Sequence, residues 1–169
     1  MSAIDQLLQN NARYVRETAV RALPPRPRLE IAVLACMDAR IDVYRVLGLA
    51  RGDAHVIRNA GGVVTEDSIR SLLISQRLLG TREVMVMHHT ECGMQTFRDE
   101  DLKTEIEREG GVRPPFALGA FSDLREDVRE SMRRIIRSPF VAHRGQVRGF
   151  VYDVRTGSLE EVVFENPAG

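Results

Sequence analysis

The sequence predicts a single α/β domain whose central sheet is mainly parallel, with four parallel strands and one C-terminal antiparallel strand, flanked by helices. Three observations indicate this fold class. Short runs of consecutive apolar residues, such as 30–36 and 83–88, lack alternation and are typical of parallel strands covered on both faces. Segments with helical periodicity separate these runs, as in βαβ units. The chain has 169 residues, of which 43% are hydrophobic, enough for one core of ordinary size.

The first element is an N-terminal helical arm followed by a proline-rich spacer. Residues 3–20 show helical periodicity, and the apolar residues near one face are Ile4, Leu7, Leu8, Tyr14 and Val15. The segment 24–27 contains three prolines, which end the helix and form a stiff spacer. We therefore divide the chain into an arm with its spacer, residues 1–28, and a main domain, residues 29–169. Such a helix packs either on a partner subunit or on its own domain, and the sequence leaves both open.

The main domain begins with two predicted strands. Residues 30–36 form the first strand, and a short helix over 42–47 follows and stops at Gly48. Residues 54–58 form the second strand. The segment Arg58–Gly62 comes next. It either lines a pocket, where glycine permits close approach of the backbone, or is an ordinary turn.

A capped helix and a third buried strand come next. Thr65 is a suitable N-cap for a helix over 66–79, and Gly80 suits the end of that helix. Residues 83–88 then form the third strand, which is continuously apolar at its centre.

The C-terminal part supplies two further helices and two strands. Residues 99–109 form a charged surface helix. Ser122 can cap a helix over 122–137, whose early turns carry acidic residues that the helix dipole favours. Residues 147–154 and 159–164 form the last two strands, and the Thr-Gly turn between them predicts an antiparallel pair.

Charge and hydropathy exclude several classes of function. The 24 basic residues balance the 24 acidic residues, which argues against a nucleic-acid partner because nucleic-acid binders carry a basic excess. No run approaches the roughly 20 apolar residues of a membrane helix, and the first residues lack the apolar core of a signal peptide. We therefore expect a cytoplasmic protein without nucleic-acid or membrane partners, in which the two cysteines stay reduced.

The two cysteines and one histidine stand where strands end. Cys36 closes the first predicted strand, and His89 and Cys92 follow the third. In open α/β sheets, ligands bind beyond the carboxyl ends of the strands, so these side chains can meet at one edge. Two thiolates and an imidazole are a familiar zinc ligand set that leaves a fourth position open, as catalytic zinc requires. The alternative is two buried cysteines and an incidental histidine.

An aspartate and an arginine lie next to this candidate site. Asp38 is two residues from Cys36 and can reach the metal or its water, and Arg40 can hold Asp38 through a bidentate ion pair. A solvated ion pair is the alternative for the two residues. Beside a candidate metal ligand, we favour the functional interpretation.

The other histidines are less informative. His88 precedes His89 and should point to the opposite side of the strand, either supporting a metal ligand or packing in the core. His55 and His143 could carry protons to and from the site. Ordinary surface or core positions explain both of them better.

The order and spacing of the motif residues resemble those of the β-class carbonic anhydrases, in particular their short, archaeal-like branch. The resemblance extends from about residue 29 to the C-terminal strand pair. The segments that carry it are Cys36-x-Asp38-x-Arg40, Arg58-Asn59-Ala60-Gly61-Gly62 and His89-x-x-Cys92-Gly93.

The resemblance implies a zinc ion on Cys36, His89 and Cys92, a catalytic pair of Asp38 and Arg40, and a homodimer or higher homo-oligomer. Two residues depart from the family pattern. His88 stands where many members have Gly, and Glu91 stands where Asp, Ser or Ala is commoner. The chain contains no Trp, so it cannot carry the Trp-containing bicarbonate regulatory site of some members.

The activity expected from the resemblance is the reversible hydration of CO₂ to bicarbonate by a zinc-bound hydroxide. Asp38 would control access to the fourth coordination position: paired with Arg40 it stays off the zinc, and as a fourth ligand it closes the site. We expect low pH to favour the closed state. We also expect activity to favour alkaline pH, because two thiolates neutralise the zinc charge and so keep the pKa of its water above the value near ~7 of a three-histidine site.

Three alternatives remain at this level. The same zinc site could hydrolyse CS₂ or COS, which are linear molecules like CO₂. A zinc-binding regulatory protein without turnover is the second alternative, and the Asp38–Arg40 pair argues against it. A thiol redox protein is the third, and the absence of a Cys-x-x-Cys motif argues against it.

Overall fold

Five strands form one sheet at the centre of the computed structural model, which describes residues 2–164. In chain order they are β1 (Ile31–Cys36), β2 (Ala54–Asn59), β3 (Glu83–His89), β4 (Val147–Tyr152) and β5 (Leu159–Val162). Their order in the sheet is β2-β1-β3-β4-β5. The first four are parallel and β5 pairs antiparallel with β4, so the predicted fold class is confirmed.

Five α-helices accompany the sheet in the described part of the chain. They are α1 (Ala3–Glu17), α2 (Val43–Val46), α3 (Glu66–Arg77), α4 (Asp99–Gly110) and α5 (Leu124–Arg137). Thr65 caps α3 as predicted, because its hydroxyl accepts from the backbone N–H of Ser68 at 3.2 Å. The prediction that Ser122 caps α5 is wrong. Asp123 is the cap, accepting from the Glu126 N–H at 2.9 Å, and its negative charge also suits the helix N-terminus.

Element boundaries differ from the predictions by one to three residues, for local reasons. The helix α1 stops at Glu17 because Thr18 is extended, with φ −115° and ψ 118°. The strand β1 starts one residue late because Glu30 has a left-handed backbone, with φ 53°. The strands β2 and β3 each run one residue further than predicted, to Asn59 and His89. The strands β4 and β5 each stop two residues earlier.

Alternating residues of the strands build a core on each face of the sheet. From β1, Ala32 and Leu34 enter the core beneath α3 and α5, whereas Val33 and Ala35 enter the core on the opposite face. Both cysteines belong to that second core. The continuous apolar character of β1 therefore follows from helices and loops that cover both of its sides.

The strand order fixes where a ligand can bind. The chain goes from β1 to β2 on one side, and then to β3 on the other side, so the connections diverge at the carboxyl ends of β1 and β3. The register pairs Ala35 with Met87, which brings Cys36 level with the His88–His89 end of β3. This position is the switch point at which open α/β sheets bind ligands.

The helix α1 has none of its residues buried, whereas the spacer that follows is fixed to the domain. Arg28 donates its backbone N–H to the Gly52 carbonyl at 2.9 Å and forms an ion pair with Asp53 at 2.8 Å. A ring nitrogen of His55 lies 3.3 Å from the Pro25 carbonyl. Among residues 2–164, no helix has the length and apolar character that crossing a bilayer requires.

Candidate metal centre

Three buried side chains meet at the switch point. Cys36 ends β1, His89 ends β3, and Cys92 lies in the loop that follows β3. One ligand atom from each residue lies within 4.8 Å of the others, and the two sulfurs are 4.0 Å apart. The predicted set of Cys36, His89 and Cys92 therefore comes together in one group that can hold a metal ion.

The His89 ring is oriented for coordination through Nε2. Its Nδ1 lies 2.9 Å from the Thr90 carbonyl, which can only accept, so Nδ1 carries the hydrogen and Nε2 carries a lone pair. Nε2 is buried and has no hydrogen-bond partner among the described residues. An unpaired buried nitrogen is costly, and a cation beside it would satisfy it.

The two thiols have opposite pKa shifts. Burial opposes ionisation of Cys36, but the His89 imidazole and the backbone amides of Asp38 and Gly61 lower its pKa to about 7. Burial raises the pKa of Cys92 to about 11, and the neighbouring Cys36 sulfur adds to this effect. Two thiolates 4.0 Å apart repel each other unless a cation lies between them. The donor set therefore fits a soft divalent cation such as zinc.

Asp38 lies beside the three donors and forms a bidentate ion pair with Arg40. The guanidinium donates from Nε to Oδ1 at 3.0 Å and from Nη2 to Oδ2 at 2.7 Å, and the Arg40 backbone N–H also donates to Oδ1. Oδ2 lies 3.8 Å from the His89 Nε2. The hydrogen bonds from Arg40 hold the pKa of Asp38 well below its usual range, so the carboxyl is ionised. The sequence-predicted pair is thus a bidentate ion pair next to the donor group.

Arg58 and the glycine turn fix the backbone of the Cys36 segment. Arg58 donates to the Cys36 carbonyl at 2.9 Å and to the Asp38 carbonyl at 2.7 Å. Gly62 has φ 72°, and a Cβ on it would lie 2.9 Å from the Cys36 backbone nitrogen. The turn is therefore a close packing contact with the end of β1, and glycine is required there.

Glu91 shapes the loop between His89 and Cys92. It has a left-handed backbone with φ 57°, and its carbonyl accepts from Arg40 Nη2 at 3.0 Å. Its carboxylate forms an ion pair with Arg155 and lies 3.6 Å from Arg40 Nη1. Arg155 carries no local signal in the sequence, because its contact with Glu91 joins distant parts of the chain.

Comparison with known proteins identifies the family. A family model described as carbonic anhydrase matches residues 31–114. β-Carbonic anhydrase 1 of Mycobacterium tuberculosis (strain H37Rv) is 55% identical over 162 residues, which cover 96% of this chain and 99% of the relative. The chain belongs to the β-carbonic anhydrase family.

Two further similarities place this β-carbonic anhydrase among its relatives. A crystal structure of carbonic anhydrase from Streptococcus mutans is 41% identical, covers 96% of this chain and 99% of its own, and superposes with a TM-score of 0.91. A carbon disulfide hydrolase of Acidithiobacillus thiooxidans is 33% identical over 180 residues, covering 93% of this chain and 89% of that protein. The likeness to the carbonic anhydrases is the stronger of the two.

His88 of this β-carbonic anhydrase faces away from the donor group, as the alternation of a strand predicts. Its ring is fully buried, and it stacks on Phe121 with centroids 5.8 Å apart and planes at 17°. Its Nε2 lies 3.1 Å from the Gly62 carbonyl, and its Nδ1 lies 3.3 Å from Oδ2 of Asp127 on α5. Burial lowers the pKa of His88 to about 4, so the ring is neutral at pH 7. Asp127 was missed in the sequence, since it appeared to be one of several surface acids of a helix.

The two remaining histidines of the β-carbonic anhydrase serve other contacts. His55 Nδ1 lies 2.7 Å from the Ser75 hydroxyl, and its other nitrogen faces Pro25. His55 pairs with Ala32 in the sheet, towards the amino ends of the strands and away from Cys36. His143 uses its backbone, not its ring, to bond with Gln76. The ordinary structural interpretation therefore holds for both.

Because the pKa of Asp127 is raised, we expect Asp127→Asn to stabilise the protein in a pH-dependent way. Burial raises the pKa of Asp127 from 3.8 to about 6, Glu130 adds to the rise and Arg134 opposes it, while His88 faces the carboxyl from β3. The protonated Asp127 carboxyl contributes to the free energy of unfolding below pH 4, and this contribution is lost as pH rises through about 6. The neutral amide removes that loss, so unfolding of the metal-free variant at pH 8 should require roughly 1–3 kcal/mol more than wild type.

Urea unfolding of metal-free protein at pH 4.5 and pH 8 tests this. The gain should shrink at pH 4.5, and Asp101→Asn, at an exposed aspartate of α4, should show none at either pH. Equal stability of Asp127→Asn and wild type at pH 8 would contradict the prediction.

Proposed function

We propose that this β-carbonic anhydrase catalyses the reversible hydration of CO₂ to bicarbonate at a zinc ion held by Cys36, His89 and Cys92. The observation that carries the proposal is the buried group of two sulfurs and one unpaired imidazole nitrogen within 4.8 Å. Membership of the family supports it. Zinc in such a site supplies a Lewis acid that lowers the pKa of water, so that a nucleophile is available near neutral pH.

Asp38 and Arg40 are the proposed catalytic pair. Asp38 Oδ2 is 3.8 Å from His89 Nε2, and so it is placed to accept a hydrogen bond from water attacking CO₂. Arg40 donates to both carboxylate oxygens and would thereby keep Asp38 from binding the metal. If this pair opened, Asp38 would be free to bind the metal as a fourth ligand and would close the site. Asp38 is thus proposed both as hydrogen-bond acceptor and as gate.

The comparisons favour CO₂ over the other substrates considered. Carbon disulfide hydrolases are relatives, but the one from Acidithiobacillus thiooxidans is 33% identical, against 55% for β-carbonic anhydrase 1 of Mycobacterium tuberculosis. A regulatory zinc protein would have no use for an ionised aspartate beside its donors. Because thiolate ligands must stay reduced, we propose a cytoplasmic location.

We also propose that residues 1–28 form an arm that packs on a second copy of the chain, giving a homodimer or larger homo-oligomer. The arm helix α1 has no buried residue, and its large apolar side chains remain exposed. They are Ile4, Leu7, Leu8, Tyr14 and Val15. An isolated helix of 15 residues is marginal in water, so this apolar face needs a partner to cover it.

Replacing one sulfur tests the zinc proposal. Cys92→Ser should lose most bound zinc and reduce CO₂ hydration by at least about 100-fold, because a hydroxyl is a much poorer zinc ligand than a thiolate. Metal content by atomic emission and stopped-flow hydration should be measured on the same samples. Ser131→Ala, at a buried α5 position, is the matched control and should keep both. Full zinc content and unchanged activity in Cys92→Ser would refute the proposal.

Removing the bidentate Arg40–Asp38 ion pair tests whether that pair controls access to the fourth coordination position. With Arg40→Gln, the Asp38 carboxylate loses its two guanidinium contacts and turns towards the metal, most readily at low pH. The rate of CO₂ hydration should fall by roughly 10- to 100-fold at pH 7 and recover partly at alkaline pH. The pH–rate curve should therefore shift to higher pH. Arg45→Gln, on the exposed side of α2, should leave the curve in place. A curve for Arg40→Gln that falls equally at every pH would argue against gating.

Introducing charged residues on the apolar face of α1 tests whether the arm holds the oligomer together. The double variant Leu7→Glu/Leu8→Glu should dissociate to monomers, because two carboxylates cannot be buried in an apolar contact. Light scattering during gel filtration measures the mass. Gln6→Glu/Gln9→Glu adds the same charge on the other face of α1 and should keep the wild-type mass. A monomeric wild type, or an unchanged mass in the leucine variant, would count against the arm's role.

A further inference from the structure

The tautomer of His88 is fixed by its surroundings. The Gly62 carbonyl can only accept, so the ring nitrogen 3.1 Å away, Nε2, carries the hydrogen. This leaves Nδ1 as an acceptor in the neutral ring, facing Asp127 Oδ2 at 3.3 Å. Both of these atoms are buried, and neither has a hydrogen-bond partner among residues 2–164. The protonated form of the Asp127 carboxyl would donate to Nδ1 and satisfy both atoms, so Asp127 is placed to hold the His88 ring in this orientation.

The His88–Asp127 pair supports the glycine turn behind the metal centre. A Cβ on Gly62 would lie 3.2 Å from His88 Cδ2 and 2.9 Å from the Cys36 backbone nitrogen, so the turn is held between the histidine ring and the end of β1. Because Gly62 packs directly on the Cys36 backbone nitrogen, a shift of the turn would displace the end of β1 that carries the Cys36 sulfur.

We propose that His88 and Asp127 are positioning residues of the metal centre: together they hold the Gly61–Gly62 turn against Cys36 and so strengthen the binding of the metal by the Cys36 sulfur. The inference rests on the metal site of the proposed function. It assigns a role to His88, which is not one of the three donors, and to a carboxyl on α5 that touches none of them.

The hydrogen bond from His88 to the Gly62 carbonyl can be separated from the packing of the His88 ring on Phe121. The Phe121 ring stacks on one face of His88, with centroids 5.8 Å apart. An apolar side chain of similar size would fill the same space but could not donate to the Gly62 carbonyl. The proposal therefore predicts a loss in metal affinity that does not follow from a loss of stability.

The experiment measures the zinc dissociation constant of each variant by competition with a chromophoric chelator. Beside it, the sulfur-to-cobalt charge-transfer absorption of the Co²⁺ form reports directly on the thiolates. His88→Phe keeps the stacked ring and removes the donor, and should weaken zinc binding by roughly 10- to 100-fold. At pH 6, where part of the Asp127 carboxyl keeps its proton, Asp127→Leu should weaken zinc binding by a smaller factor. Asp127→Asn, whose amide can donate to Nδ1, should stay within about threefold of wild type.

Gln76→Met is the matched control, because Gln76 is also buried and makes two hydrogen bonds, both to the backbone of His143. It should lower the thermal midpoint and leave the zinc dissociation constant and the cobalt spectrum unchanged. If His88→Phe does not fold, the comparison of Asp127→Leu with Asp127→Asn decides. Wild-type affinity in both His88→Phe and Asp127→Leu, or equal losses in Gln76→Met, would overturn the inference. A wild type that binds no zinc at all would instead overturn the proposed function.

Discussion

Two sulfurs and one imidazole nitrogen, buried together without a proton donor for the nitrogen, are the constraint on which the rest of the structure depends. The sulfurs lie 4.0 Å apart, and the buried His89 Nε2 has no hydrogen-bond partner in the described chain. Polar atoms removed from water destabilise a fold unless they are paired. A soft cation would stabilise all three groups, since it neutralises the two thiolates and accepts the lone pair of His89 Nε2. The centre is therefore organised for a metal ion and poorly suited to be an apolar core.

The scaffold holds two of the three donors on strand ends. Cys36 and His89 are the last residues of adjacent parallel strands, so the ladder between β1 and β3 sets their separation. Arg58 adds a second restraint by binding the carbonyls of Cys36 and Asp38. Side chains placed on rigid elements and supported from behind keep a productive geometry more closely than side chains on mobile segments. Only Cys92 depends on a loop, and Arg40 binds that loop through the Glu91 carbonyl.

The parts that could be predicted from the sequence are those with a local signal. Apolar runs gave the strands, and the strand-end positions of Cys36, His89 and Cys92 gave their convergence, because parallel strands share one edge. Long-range contacts had no such signal. Asp127 looked like one of several acids in the first turns of α5, and only the packing of α5 on the sheet brings its carboxyl to His88. The cap of α5 was misassigned for another reason: Ser122 and Asp123 are both good caps, and the choice depends on how the preceding loop enters the helix.

The departure at Glu91 leaves the Asp38 geometry intact, and the planar shape of arginine explains why. Arg40 uses Nε and Nη2 for Asp38, and the same Nη2 reaches the Glu91 backbone carbonyl, a group that every residue type provides. The Glu91 carboxylate meets only the remaining nitrogen, at 3.6 Å, and is shared with Arg155. All of these charged groups are partly exposed, where a loose ion pair contributes little, whereas a bidentate fork keeps its geometry. A lysine at position 40 would have one point of contact in place of the fork, and could not hold both carboxylate oxygens while also fixing the loop.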